Sequence, residues 1–198
     1  MLARRRMLTA MTTTRVTDRL HFTGDADADR LLVSEPMALL IGFALDQQVP
    51  VQKAFSGPKV LLARLGTLDA RELAALDPAK LEAASKGPPA IHRFPGAMAK
   101  RVAELAAYIA EHYDGDAARV WTGAANADEL RANLHALPGF GEMKIKALGG
   151  VLAKRFGIEA AQDLVPWHPT LGDVDSPQAL ADYQAAKRIH KKEWAAKA

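Results

Sequence analysis

The chain has 198 residues, 49% of them hydrophobic and 6% aromatic, with a net charge of +3 and no cysteine. This suits one compact domain, or two lobes sharing a core, and alanine and leucine in such numbers favour helices. Without cysteine there is no disulfide framework, thiolate zinc site or cysteine-held iron–sulfur cluster, and no apolar run approaches the roughly 20 residues of a membrane span.

Residues 1–15 carry Arg4, Arg5, Arg6 and Arg15 without an acid and read as a disordered basic tail. The stretch Leu8 to Thr14 is too polar for a signal-peptide core. Residues 16–198 read as a single helical domain. Gly24-Asp25 precedes a short helix over 26–34, and Pro36 opens a helix reaching about Gln47. Val49-Pro50 breaks it. The next helix runs to about Ala63 through Gly57-Pro58. Thr67 or Asp69 caps a helix over 70–76, and Asp77-Pro78 caps one over 79–85. After the loop 86–89, Val102, Leu105, Ala106 and Ile109 recur at helical spacing and place the longest helix over 95–112. Asp116 caps a short helix ending at Trp121, and Asn126 or Asp128 caps a helix over 129–136. A second helix after residue 141 ends near Phe156, with Gly157 as its cap. Residues 158–174 read as irregular, and Asp175-Ser176-Pro177 caps a final helix to about residue 195.

The most informative run is LPGFGEMKIKAL, from Leu137 to Leu148. Gly139 and Gly141 flank Phe140 in a tight turn between two helices. Glycines there permit backbone that a side chain would forbid, and they leave amide groups bare. Those amides, with the free N–H groups of the following helix, make a site for a phosphate. Lys144 and Lys146 add positive charge nearby, the composition of a clamp on a nucleic-acid backbone that positions without reading sequence. Basic patches lie at Lys86, Arg93, Lys100 and Arg101, at Lys144, Lys146, Lys154 and Arg155, and at Lys187, Arg188, Lys191, Lys192 and Lys197. Without the four arginines of residues 1–15 the balance is 22 basic to 23 acidic residues, so these patches are local features of a near-neutral domain.

A second motif lies in MALLIGFALDQQVPVQKAF, from Met37 to Phe55. An apolar helix ends in Asp46-Gln47-Gln48 just before the Val-Pro break. A glutamine amide both donates and accepts, so Gln47 or Gln48 can pair with a base edge or fill the gap left by an extruded base.

A glutamine-bearing break followed about 90 residues later by a helix-hairpin-helix resembles the helix-hairpin-helix (HhH-GPD) superfamily of base-excision DNA glycosylases. The phrase IHRFPGAMAKRVAELA resembles a small bacterial branch of it. The resemblance implies an all-α, two-lobed fold with DNA in the cleft between lobes. It implies a DNA repair protein that flips a damaged or mismatched base from double-stranded DNA and hydrolyses its N-glycosidic bond. The flip is needed because that bond is inaccessible inside the stack. Leu137, Gly139, Phe140, Gly141, Lys144 and Lys146 would contact DNA, Gln48 would be the wedge, and a structural sodium or potassium ion would sit on hairpin carbonyls. No other cofactor or metal is expected. The protein would act as a cytoplasmic, nucleoid-associated monomer.

Strand-cutting members carry a lysine two residues beyond the second glycine. Here Met143 stands there, and Lys144 lies about 100° further round the helix. A monofunctional enzyme is expected, with Lys144 as a phosphate contact. The family's aspartate lies about twenty residues beyond the hairpin, where a carboxylate suits an oxocarbenium-like transition state. Asp163, 22 residues after Gly141, and Asp173, before the last helix, are the two candidates. If neither acts, the chain is a non-catalytic damaged-DNA-binding module. Trp167 and His168, in a Pro-rich loop, are candidates to line the base pocket.

Overall fold

The computed structural model describes residues 17–195, with side chains described to residue 188. The basic tail and the side chains at the extreme C-terminus lie outside that range. Every regular element among the described residues is helical, and none is long and apolar enough to cross a membrane.

Helix α1 spans Ala26–Ser34 and α2 Pro36–Leu45. Residues 37–45 of α2 are all buried, as a helix apolar on every face demands. α3 (Val51–Leu65) packs on α2 and α1. Gly42 allows that approach, since a Cβ there would run into the Phe55 ring. The Phe55 ring in turn meets those of Phe43 and Phe22 edge-on, at 5.0 and 4.9 Å. Each such side chain, fully buried, contributes roughly 1.5–3 kcal/mol. The segment before α1 is tied down by buried Asp29, whose carboxylate accepts from the Phe22 and Thr23 N–H groups and the Thr23 hydroxyl.

α4 (Ala70–Ala75) and α5 (Pro78–Lys86) both pack on α6 (Pro95–His112), which buries the expected Val102, Leu105, Ala106 and Ile109. α7 is a single turn, Arg119–Thr122, starting later than Asp116 because Asp116 caps a preceding turn through the Ala118 N–H. α8 spans Ala127–Ala136, capped by Asn126 and not by Asp128. α9 spans Glu142–Arg155.

Residues 158–174, expected to be irregular, contain two 3₁₀ helices, Glu159–Leu164 and Leu171–Asp173, both packed on α9. Gly149 and Gly150 explain this. A Cβ on Gly149 would press into Leu164, and one on Gly150 into Thr170, so the bare face of α9 admits both segments. α10 (Pro177–Ala195) follows, and within the expected Asp175-Ser176-Pro177 cap it is Ser176 that accepts from the Ala179 N–H. A single hydrophobic cluster runs from Leu20 to Leu180.

Candidate nucleic-acid interface

The turn between α8 and α9 is built from Leu137 to Gly141. Leu137 and Phe140 are 2% and 4% exposed, so they anchor the turn to the core and do not face solvent. Gly139, Gly141, Glu142 and Met143 are on the surface. Gly139 has φ +80°, a conformation that glycine adopts without cost. No side chain caps α9, and the space a Gly141 Cβ would occupy is open. The first N–H groups of α9 therefore face an open surface, and they carry the positive end of the helix dipole. Glu142 puts a negative charge beside them, but the Arg131 guanidinium pairs with it at 3.1 Å.

Arg101 of α6 lies directly against the hairpin, where a Cβ on Gly139 would overlap its guanidinium. It joins the hairpin to the basic patch of α6, a contact between segments that sequence reading kept separate.

Lys144 does not point outward. Met143, the preceding residue, is 74% exposed, while the Lys144 ammonium turns inward and donates to the Ala44 carbonyl at the end of α2, 3.1 Å away. Lys144 and Ile145 sit on the inner face of α9 because the helix starts at Glu142. Burial, and then the neighbouring Arg101 charge, lower the Lys144 ammonium to about 8, with Asp46 pulling the other way. Lys146 is half-buried on the same helix.

Asp46 stands opposite. Burial raises its carboxyl above the usual value, against the pull of Lys187 and Lys144. Tyr183 of α10 closes the group. Burial, followed by the charges of Asp46 and Asp173, pushes its hydroxyl up to about 12. The Lys187 ammonium lies 5.8 Å from the Tyr183 ring centre. A reciprocal amide pair, Gln184 to Gln52 at 2.8 and 3.4 Å, ties α10 to α3. Lys144 and Lys187 thus act on Asp46 from two helices, while Arg101 acts on Lys144 and meets Glu104 at 3.8 Å. Arg101 was expected in a basic patch with Lys86, Arg93 and Lys100, whereas Asp46 and Tyr183 carried no expected role of their own. The Asp-Gln-Gln run and a lone tyrosine in a polar helix were the available signals.

The two glutamines have different surroundings. The Gln47 side chain donates to the Met98 sulfur at 3.1 Å, and its carbonyl meets His92 Nε2 at 2.8 Å. α2 ends at Leu45 and not at Gln47, because Asp46 leaves helical geometry with ψ 73°, and Gln48 is exposed with φ +56°. The left-handed region is sparsely used by residues other than glycine and asparagine.

The candidate carboxylates separate. Asp163 is exposed and lines an open depression of about 540 Å³ with Trp121, Asn126, Gly157 and Glu159, formed where α7 and α8 meet the first 3₁₀ helix. Asp173 lies within electrostatic reach of Tyr183. One of its oxygens accepts from the Thr170 N–H at 2.8 Å in a capping box, and the other meets Lys154 at 2.5 Å. Burial opposes ionisation of Asp173, but the Lys154 and Thr170 hydrogen bonds outweigh it and hold the carboxyl below its usual range.

Trp167 is 95% exposed and so forms no wall of an enclosed pocket. His168 beside it meets the Trp167 ring edge-on at 5.6 Å and the Pro169 carbonyl at 3.2 Å. Among the described residues no cluster of three or more histidines and carboxylates could hold a metal. In the hairpin, the Leu137 and Gly141 carbonyls accept from Phe140, Lys144 and Ile145 N–H groups. An alkali ion there would depend on main-chain oxygens partly engaged already.

No family model, curated protein or solved structure matches this chain.

Proposed function

We propose that this chain is a DNA repair protein of the helix-hairpin-helix glycosylase type. It binds double-stranded DNA at the turn 137–141 and the Gln48 turn. It extrudes a damaged or mismatched base and removes it without cutting the strand. The observation that carries this reading is the juxtaposition of two motifs recognised separately in the sequence. The hairpin helix and the Asp46-Gln47-Gln48 turn meet through the Lys144–Ala44 hydrogen bond, across 100 residues of chain.

In this reading the open N-terminus of α9 and Arg101 hold phosphates, which gives affinity without sequence preference. Gln48, exposed beside them, enters the duplex and occupies the space of the extruded base. Lesions that pair weakly are favoured because opening them costs less. Asp173, kept ionised by Lys154 and Thr170, is the carboxylate placed to stabilise a developing sugar cation. Asp163, in a separate depression, is not. Met143, at the position where strand-cutting relatives would carry an amine, is a thioether and forms no Schiff base. The protein works in the cytoplasm on chromosomal DNA.

A second reading is favoured by one specific observation. Both oxygens of Asp173 are engaged, so the carboxylate has a complete structural role without chemistry. The chain would then be a non-catalytic module that recognises distorted DNA.

A glycosylase assay decides between these. Duplexes carrying uracil, hypoxanthine, methylated purines, oxidised guanine and mismatches are incubated with the protein, with and without alkali. Alkali-dependent cleavage is expected. Binding to several duplexes with no abasic product would establish the module instead. Cleavage without alkali, with borohydride trapping lost in Lys144→Met, would make Lys144 the amine of a strand-cutting enzyme. Burial already leaves roughly a tenth of it neutral at pH 7.

A further inference from the structure

Gln48 occupies left-handed backbone that a glutamine has no intrinsic reason to adopt, so a neighbouring group must hold it there. The preceding residue is fixed twice, and both contacts come from one short stretch of chain. His92 is 2% exposed, and its Nε2 lies 2.8 Å from the Gln47 carbonyl. Its Nδ1 accepts from the Phe94 N–H at 3.0 Å. A main-chain N–H only donates, so Nδ1 is the unprotonated nitrogen and Nε2 carries the proton that goes to Gln47. Six residues further on, Met98 receives the Gln47 side-chain amide. The whole hydrogen-bonding capacity of the imidazole is spent between the start of α6 and the turn after α2. Gln48 is left exposed with its direction set by the residue before it.

We propose that His92 is a positioning residue for Gln48. Its neutral Nε2–H form grips the Gln47 carbonyl and fixes the backbone from which Gln48 is presented to the duplex. This deepens the functional reading above and rests on it. His92 touches no substrate. It acts through Gln47, and it makes the entry angle of Gln48 a property of the packing between α6 and α2.

Two substitutions separate this from general packing. His92→Gln can place an amide nitrogen near Nε2 and keep the donation to Gln47. His92→Asn can place an amide oxygen near Nδ1 and keep only the Phe94 contact. Both leave a buried amide and should lower stability similarly. The first readout is the backbone amide resonance of Gln48 in the free protein. It should move in His92→Asn and stay near its wild-type position in His92→Gln. The second is the fluorescence of 2-aminopurine in a mismatched duplex at saturating protein, which reports unstacking. His92→Asn should reduce the unstacked population by about tenfold, as Gln48→Ala also should, while Kd changes by less than about threefold. His92→Gln should retain most of the signal. A Gln48 resonance that stays put in both variants, or moves equally in both, overturns the proposal. If wild type binds DNA but unstacks nothing, the functional reading fails separately, and the free-protein resonances still decide the role of His92.

Discussion

The Lys144 ammonium stands 3.1 Å from the main-chain oxygen of Ala44, partly buried, with Asp46 as the opposing charge and Arg101 a repelling one. A lysine in that position is charged at a cost. It has a direct consequence for stability, because an unfolded lysine titrates near 10.4 and the folded one near 8. Between those values the unfolded chain binds more protons, so stability rises with pH through this interval. The penalty is fully present below about pH 8 and relieved above about pH 10. Relative to Lys144→Met, the wild type should therefore gain up to about 3 kcal/mol between pH 7 and 10.5, less any screening by water. Urea unfolding of both proteins across that range measures it. Parallel curves for the two proteins would mean Lys144 titrates as an ordinary surface lysine. Tyr183, raised to about 12, adds an opposite trend above pH 10 that both proteins share.

Gly139 combines positive φ with contact against Arg101. Gly139→Ala should cost about 1–2 kcal/mol from backbone strain alone. Arg101→Ala should relieve the overlap but not the strain, so the double variant stays destabilised. Both substitutions should weaken DNA binding uniformly across sequences, and Arg101→Ala should also make it less steeply dependent on salt. Salt titrations on matched and mismatched duplexes test this. A loss confined to mismatched DNA would move Arg101 from the phosphate backbone to the lesion.

These two positions mark what the chain reveals by itself. α6 was legible because Pro95 sets its start and Val102, Leu105, Ala106 and Ile109 fall on one face. The turn at Gly139 was legible because local chemistry dictates it. The direction of Lys144 was not. Counting from Gly141 gives the angle between Met143 and Lys144, but only packing against α2 shows which side is interior. Asp46 acquired meaning from Tyr183 and Lys187, on a helix about 140 residues away. Gln47 and Gln48 look equivalent in sequence and differ because His92 and Met98 hold one of them.

The close approach of α9 and the second 3₁₀ helix was equally hidden, since Gly149-Gly150 inside a helix reads locally as a weakness. In the fold a Cβ on Gly172 would overlap the main-chain oxygen of Gly150. Backbone cannot yield as a side-chain tip can. Gly172→Ala should therefore cost about 3 kcal/mol or more, at the level of overpacking a core. Gly150→Ala meets the Thr170 side chain and should cost somewhat less. Because Thr170 also binds Asp173, both variants should disturb the Asp173–Lys154 contact. Thermal unfolding gives the stabilities. A Gly172→Ala protein with unchanged Tm would show that the two segments are not packed this closely.

Asp173 and Asp163 make opposite predictions. Asp173 is held below the usual carboxylate range by Lys154 and Thr170, against the cost of burial. A depressed folded value means its contribution is present above about pH 4 and lost as pH falls through that folded value. Asp173→Asn should thus destabilise by roughly 1 kcal/mol at pH 7, since the pair is partly solvent-screened, and by less once acid has protonated the wild-type carboxylate. Asp163→Asn should leave stability at pH 7 nearly unchanged, because the side chain is exposed. Catalysis must be separated from this stability effect, and Lys154→Met does so by removing the bridge while leaving the carboxylate. With a lesion that wild type excises, Asp173→Asn should lose excision by at least about a hundredfold. Lys154→Met should lose far less at similar stability, and Asp163→Asn nothing. Single-turnover rates and denaturation midpoints measured on the same preparations settle the assignment. If Lys154→Met and Asp173→Asn lose activity equally, Asp173 serves the fold through its bridge, and the carboxylate chemistry must be sought at Asp46, the other acid within reach of Tyr183.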